Sequence, residues 1–107
     1  MQANGKKRPT ERLRELRVIL PQPPQPLGHY YAAVQTGSLL VLSGMLPLLN
    51  GAPVVVGRVG DRISIDGGRA AARLAALNAL AVAERTLRTL HQIRRVVRAT
   101  VSVTTSA

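Results

Sequence analysis

Residues 69–87 constrain what this chain can fold into more than any other stretch. Twelve of these nineteen residues are Ala or Leu, and none is Gly or Pro. Such a run has high helix propensity. Leu74, Leu77 and Ala81 fall on one stripe at helical spacing, with Ala70 and Ala71 a turn earlier. Its many alanines allow a close approach to a sheet. Gly67 and Gly68 read as loosening the start of this helix, after Asp66. Asn78 lies beside the stripe, so its amide needs partners or water.

The residues before the helix carry strand and turn signals instead. Tyr30–Val34 is a short strand candidate, and Gln35-Thr36-Gly37-Ser38 a tight turn in which Gly37 supplies the permissive backbone. Leu39–Ser43 continues as an apolar run closed by Gly44 and Pro47. Asn50-Gly51 marks a second turn, and Val54–Val56 a third strand ending at Gly57 or Gly60. Beyond the helix, Thr89–Gln92 is a joint. Val96, Val97, Ala99, Val101 and Val103, interleaved with Arg98, Thr100, Ser102 and Thr104, then predict a fourth strand that is polar on one side. The order β-β-β-α-β predicts an α+β fold, an antiparallel sheet backed by one long helix. A sheet that ends at Val103 under one helix leaves apolar surface or an open edge. That surface calls for another strand or another subunit, so an oligomer is expected.

The chain of 107 residues is long enough for one domain and too short for two. Residues 1–20 form a basic tail and a short helix over Thr10–Leu20, with Thr10 as cap and Leu13, Leu16 and Leu20 on one stripe. Residues 21–27 are a connector whose four prolines fix φ and withhold amide donors. A linker crossing the domain outweighs a ligand for a proline-reading module. Residues 28–107 form the single folded domain.

Composition narrows the chemistry. Apolar residues make up 46% of the chain, enough for a core, but with no Phe or Trp that core is aliphatic. No Cys is present, which removes disulfides, thiolate chemistry and Cys-type zinc sites from this chain. Two His and five carboxylates are too few for a well-furnished metal centre, so no metal is expected. No stretch approaches the length of a membrane span. The charged start, Met1–Arg17, is unlike a secretory signal, so a cytoplasmic protein is expected.

The net charge of +10 invites a nucleic-acid reading. Thirteen of the fifteen basic residues are Arg, however, a bias that GC-rich coding also produces. They gather in the N-terminal tail, at Arg69 and Arg73, and between Arg85 and Arg98, with no aromatic residue among them to stack a base. Incidental surface charge is the heavier reading, and an anionic partner stays open.

Catalytic signatures are thin. His29 and His91 are 62 residues apart, and no Ser has a nucleophile-elbow setting. Asp61 and Asp66 stand in a turn region at no helical spacing and read as turn or cap residues. Val56-Gly57-Arg58-Val59-Gly60 lacks a phosphate-loop pattern. Two positions stand out. Gly28-His29-Tyr30 puts a hydroxyl-bearing ring beside a flexible joint. Ser43-Gly44 puts a hydroxyl and an unhindered amide at a strand end, where backbone N–H groups can hold a carboxylate or polarise a carbonyl. Taken alone, these residues read more readily as packing and backbone satisfaction than as a site.

Their spacing adds a further observation. Leu20-Pro21-x-Pro23-Pro24-x-Pro26-x-Gly28-x-Tyr30, Ala33-Val34-x-Thr36-Gly37-x-Leu39-Leu40 and Leu42-Ser43-Gly44-x-x-Pro47 resemble the RidA/YjgF family, the reactive intermediate deaminases also called the endoribonuclease L-PSP or chorismate-mutase-like superfamily. Gly57-x-Val59-Gly60, the Ala70–Ala81 helix with Asn78, and Arg95-Val96-Val97-Arg98 extend the likeness. The resemblance implies a curved antiparallel sheet backed by helices in a barrel-like homotrimer, with ligand clefts between subunits. It implies hydrolysis of 2-imino or enamine acids to 2-keto acids and ammonia, with an Arg clamping the substrate carboxylate and no cofactor. Tyr30, Ser43 and Gly44 match cleft residues, and Asn78 a structural helix residue.

The departures are His29 where Pro or Asn is common, Met45 where Gln is common, and Arg88 in place of a Gly near the helix end. No Arg matches the clamp, and Arg98 sits on a different strand. The chain therefore resembles a member shortened at its C-terminal end, catalytic residues unassigned. A deaminase, a non-catalytic ligand-binding or assembly module, and an RNA-binding protein are the three functional expectations.

Overall fold

A computed structural model of the chain describes residues 7–26 and 28–107. Residues 1–6 of the basic tail and Leu27, the last residue of the connector, lie outside the described residues. The elements in chain order are helix α1 (Pro9–Glu15), strands β1 (Ala33–Thr36), β2 (Leu39–Leu42), β3 (Leu48–Leu49) and β4 (Ala52–Pro53), helix α2 (Ile65–Leu87) and a 3-10 turn (Leu90–Gln92). The expected α+β class, with antiparallel strands and one long helix, is the one observed.

The two turns set the strand registers. Gly37 takes φ +57° while Ser38 does not, as the first position of a type II′ hairpin requires, and Thr36 therefore pairs with Leu39 and Ala33 with Leu42. Asn50 and Gly51 both adopt positive φ, the type I′ pattern, so Leu49 pairs with Ala52 and Leu48 with Pro53. This register corrects the expected third strand. Pairing follows immediately on the two-residue turn and falls on Ala52–Pro53. The ladder stops soon after, because Pro47, opposite Val54, has no N–H to donate in return. One more bond, Val54 N–H to Pro47 O at 3.0 Å, closes it. The two hairpins are separate two-stranded sheets rather than one meander.

Helix α2 begins four residues earlier than its Ala-Leu run. Ser64 caps it by accepting from the Gly67 N–H at 3.0 Å, which places both Gly67 and Gly68 inside the first turns. Packing explains the glycines: a Cβ on Gly68 would lie 2.9 Å from Val59 Cγ2, so the absent side chain lets the loop before α2 press against it. At the far end Arg88 is left-handed, with φ 69° and ψ −12°, where a Gly is the usual residue. Asp61 and Asp66 pair with Arg58 at 3.3 Å and Arg69 at 3.5 Å, turn and helix-start roles as expected.

Helix α1 also differs from its expected span. Arg8, not Thr10, is the N-cap, with Pro9 at the first helical position. The helix closes at Leu16 because Arg17 turns left-handed, φ 57°, and the Val18 N–H reaches back to Leu13 O at 2.9 Å.

The core lies between α2 and its neighbours on both sides. Helix α2 contacts β1, β2 and β3, while α1 rests on the 3-10 turn and residues 20–23 run beside Ala81. Among the described residues Ala81, Val82, Ala83, Leu48 and Leu90 are the buried apolar ones, and Asn78 is the buried polar one. Leu74 and Leu77 of the expected stripe are half-buried and Ala70 is exposed, so the helix is enclosed mainly in its C-terminal half. The expected fourth strand, Val96–Val103, is not one. No backbone hydrogen bond reaches residues 94–103 among the described residues, because no neighbouring strand lies alongside. A parallel bridge holds the chain just beyond, with Val59 N–H donating to Thr104 O at 3.0 Å and Ser106 N–H to Val59 O at 2.9 Å.

Candidate functional site

Hairpin register brings the two singled-out positions together. Beyond the last β1–β2 pair, Ser43 N–H donates to Ala32 O at 2.9 Å, extending the ladder by one bond. The segment preceding Ala32 therefore lies across from the segment following Ser43. Tyr30, Ser43 and Gly44 line one shallow depression, with Pro24–Pro26, Ala32, Met45, Leu46 and Leu48 as the remaining wall. The proline connector thus forms one side of it, and the β2–β3 loop the other. Its volume is about 30 Å³.

Each polar contributor has a definite local setting. The Tyr30 ring packs over Gly28, where an added Cβ would meet Cδ1 and Cε1 at 3.6 Å, and about half of the residue faces solvent. The Ser43 amide is committed to Ala32, so this residue offers only its hydroxyl, half-buried. Gly44 is exposed, its amide makes no backbone bond among the described residues, and nothing lies within 4 Å of where its Cβ would stand. A ligand atom can approach that N–H without steric obstruction.

The rear wall is pinned from below by α2. Asn78 Nδ2 donates to Leu46 O at 3.0 Å and to Leu48 O at 2.9 Å, while Leu48 N–H closes a tight turn onto Leu46 O at 2.8 Å around Pro47. Asn78 is thereby structural, and its unused Oδ1 is buried without a partner among the described residues. The loop carrying Gly44 to Leu48 is held by one side chain of the helix beneath.

Among the described residues the lining holds no basic residue, no carboxylate and no His, and the Tyr30 phenol is its one ionisable group. Among the described residues no group of His, Cys, Asp and Glu could hold a metal, and no helix is long and apolar enough to cross a membrane. Beyond Tyr30, Ser43 and Gly44, sequence reasoning named none of the lining residues, Ala32 among them. The signal for Ala32 was the Gly37-Ser38 turn, which fixes Ala33 opposite Leu42 and so Ala32 beside Ser43.

No family model matches the chain. A solved structure of a candidate endoribonuclease from Shewanella oneidensis is 34% identical and superposes with a TM-score of 0.73 over 78% of this chain and 56% of that one. The fold is the L-PSP/RidA fold. A second structure with this likeness is the protein Atu1372 of Agrobacterium tumefaciens, of unknown function, 37% identical with a TM-score of 0.67 over 80% of this chain and 51% of that one. Protein TCP17 of Trypanosoma cruzi is 32% identical over 94 residues, 88% of this chain and 59% of that protein. The chain thus spans between half and three-fifths of the length of each of these relatives. Within the L-PSP/RidA fold, the Tyr30, Ser43 and Gly44 depression lies where the hairpin meets the connector.

Proposed function

We propose that the depression is one half of a site for a small 2-imino or 2-oxo acid, in a protein of the reactive-imine-hydrolase type. The supporting observation is the convergence of Tyr30, Ser43 and Gly44 on one surface, since two separate stretches of sequence suggested them. The Gly44 N–H and the Ser43 hydroxyl point donors at an oxygen or an imine nitrogen, and the Tyr30 ring covers the carbon chain. Hydrolysis additionally requires a cation to fix the carboxylate and a positioned water, because an unclamped acid in an open depression loses the advantage of orientation. No lining residue is basic. The depression as described therefore binds the acid weakly and hydrolyses it little until a cation is brought to it.

The test is a titration of the full chain with 2-oxobutyrate, followed by amide NMR, alongside ammonia release from an imine generated in place by an amino-acid oxidase. Shifts confined to Tyr30, Ser43, Gly44 and their neighbours, reduced in Tyr30→Ala and Gly44→Val, are expected. Shifts elsewhere, or none at saturating acid, would overturn the reading.

An RNA-processing reading has one specific support, the net charge of +10, together with the Shewanella neighbour's description. The depression lacks the acid–base pair that strand cleavage would use. RNA affinity falling steeply between low and moderate salt, with RNA shortened over time, would favour it.

A further inference from the structure

On the connector side of the depression stands Gln25, between Pro24 and Pro26. A proline carries no N–H, so every hydrogen-bond donor that these three residues can offer belongs to Gln25. Its main-chain N–H makes no backbone bond among the described residues, and its side-chain amide makes no hydrogen bond there either. The residue is exposed, so both donors are satisfied by water until a ligand arrives beside them. Its neighbours limit how it can move. The ring of Pro24 fixes φ before it, and Pro26 keeps Gln25 itself out of the helical region. The main chain here is therefore ordered in advance, and engaging a ligand costs little beyond the rotamers of one side chain.

Across the depression, the β2–β3 side offers the Gly44 N–H and the Ser43 hydroxyl. A 2-oxo acid brings two acceptor groups on adjacent carbons, the oxo oxygen and a carboxylate that alone accepts up to about four hydrogen bonds. Two donors on one wall cannot serve both groups. Among the described lining residues only Tyr30, Ser43 and Gln25 have polar side chains, and Tyr30 is already engaged in a contact of its own. We infer that Gln25 binds the carboxylate of the acid, its side-chain amide donating to one oxygen while Gly44 and Ser43 address the oxo or imino group. This assignment rests on reading the depression as an acid site, and it names the residue that takes the acid end. A neutral amide grips a carboxylate less firmly than a guanidinium does, so Gln25 orients the acid without supplying the charge that hydrolysis requires. The remaining lone pairs of the carboxylate stay open to that cation. The connector is in this way a wall of the site as well as a link across the domain.

The experiment titrates the whole chain with 2-oxobutyrate and with its methyl ester, following main-chain and glutamine side-chain amides in the same NMR spectra. Gln22, an exposed glutamine of the same connector that lines a separate groove beside Ala81, is the control. With the acid, the Gln25 side-chain NH2 pair should shift together with the Gly44 amide, while the Gln22 pair stays in place. Gln25→Met keeps the length of the side chain and removes its donor. It should weaken the acid roughly threefold to tenfold and leave the ester unchanged, and Gln22→Met should alter neither. Because Gln25 is exposed and makes no hydrogen bond, Gln25→Met should also leave the Ser43 and Gly44 amides of the free protein where they are. A Gln25 pair that does not move, an undiminished affinity for the acid in Gln25→Met, or an equal loss for acid and ester would overturn the assignment. If the parent protein still shifts at Tyr30, Ser43 and Gly44, the assignment falls alone and the acid site stands. If those shifts are missing from the parent, both fall together.

Discussion

Asn78, in the middle of α2, donates its side-chain amide to the main-chain carbonyl of Leu48, thirty residues earlier, at 2.9 Å in a buried setting. A second hydrogen of the same Nδ2 goes to Leu46 O. One side chain therefore satisfies two carbonyls of the loop that carries Gly44 and Met45, and couples the helix to the candidate site. Leu48 O could not be left bare inside the core without a cost of about 1–3 kcal/mol, whereas Leu46 O also accepts from the Leu48 N–H.

Replacing Asn78 should accordingly damage both stability and site. Asn78→Ala removes two bonds and opens a small void, and a loss of about 2–4 kcal/mol is expected. Asn78→Asp should be worse near neutral pH, because a carboxylate would face two carbonyl oxygens in a buried place. Chemical denaturation measures the loss, and amide shifts at Gly44 and Met45 report the loosened loop. An Asn78→Ala protein as stable as the parent would remove the pinning role.

Gly68 carries a second prediction with opposing terms. Ala is favoured over Gly within a helix by about 1 kcal/mol. Here, however, the new methyl would stand 2.9 Å from Val59 Cγ2, and Val59 cannot yield easily because it is bonded to residues 104 and 106. Gly68→Ala should therefore destabilise by about 1 kcal/mol. In a Val59→Ala background the same change should stabilise instead, and the double-mutant cycle reads that reversal of sign.

How far the fold was legible follows from where local chemistry decides and where contacts do. The Gly37-Ser38 and Asn50-Gly51 pairs dictate φ by themselves, so both turns were readable, and the first implies the Ala32–Ser43 bond. Gly67 and Gly68 misled because helix propensity disfavours them, whereas the cap at Ser64 and the packing of Val59 override propensity. Val96–Val103 has strand composition, but a strand is a relationship with a neighbour, and none is present among the described residues. Asn78 plainly needed partners, yet nothing local names Leu46 and Leu48. The candidate site was legible only in part: Tyr30 and Ser43-Gly44 stood out as positions, yet they are ordinary residues until the register sets their segments side by side.

Arg88 gives the third prediction. It ends α2 in the left-handed region, φ 69°, where a side chain is disfavoured and Gly is not. Arg88→Gly relieves that strain but also loosens the unfolded chain. A net gain of about 0.5–1 kcal/mol is expected, seen as a higher melting temperature. Gly60 is the reverse case, with φ +92° and Ser106 Oγ 2.5 Å from a built Cβ. Gly60→Ala should lower stability and release residues 104–106 from Val59, visible as faster exchange of the Ser106 amide.

The last prediction concerns acid. The Lys7 ammonium, hydrogen-bonded to the Glu15 carboxylate, holds that carboxyl below its ordinary value; desolvation opposes this, and the charges of Lys7 and Arg12 add to the lowering. A carboxyl whose folded pKa is depressed contributes stability that is fully present above the unfolded value, near 4.3, and is lost as pH falls through the folded one. The group is fully exposed, so the contact is local and screened by salt. In a carbon-detected titration Glu15 should therefore change charge below the usual glutamate range. Lys7→Gln or molar salt should move its midpoint upward. Amides of α1 should broaden only once Glu15 is protonated, while those of α2 stay unchanged across the same range. A Glu15 midpoint that ignores both salt and Lys7→Gln would show that the pair does not form in solution.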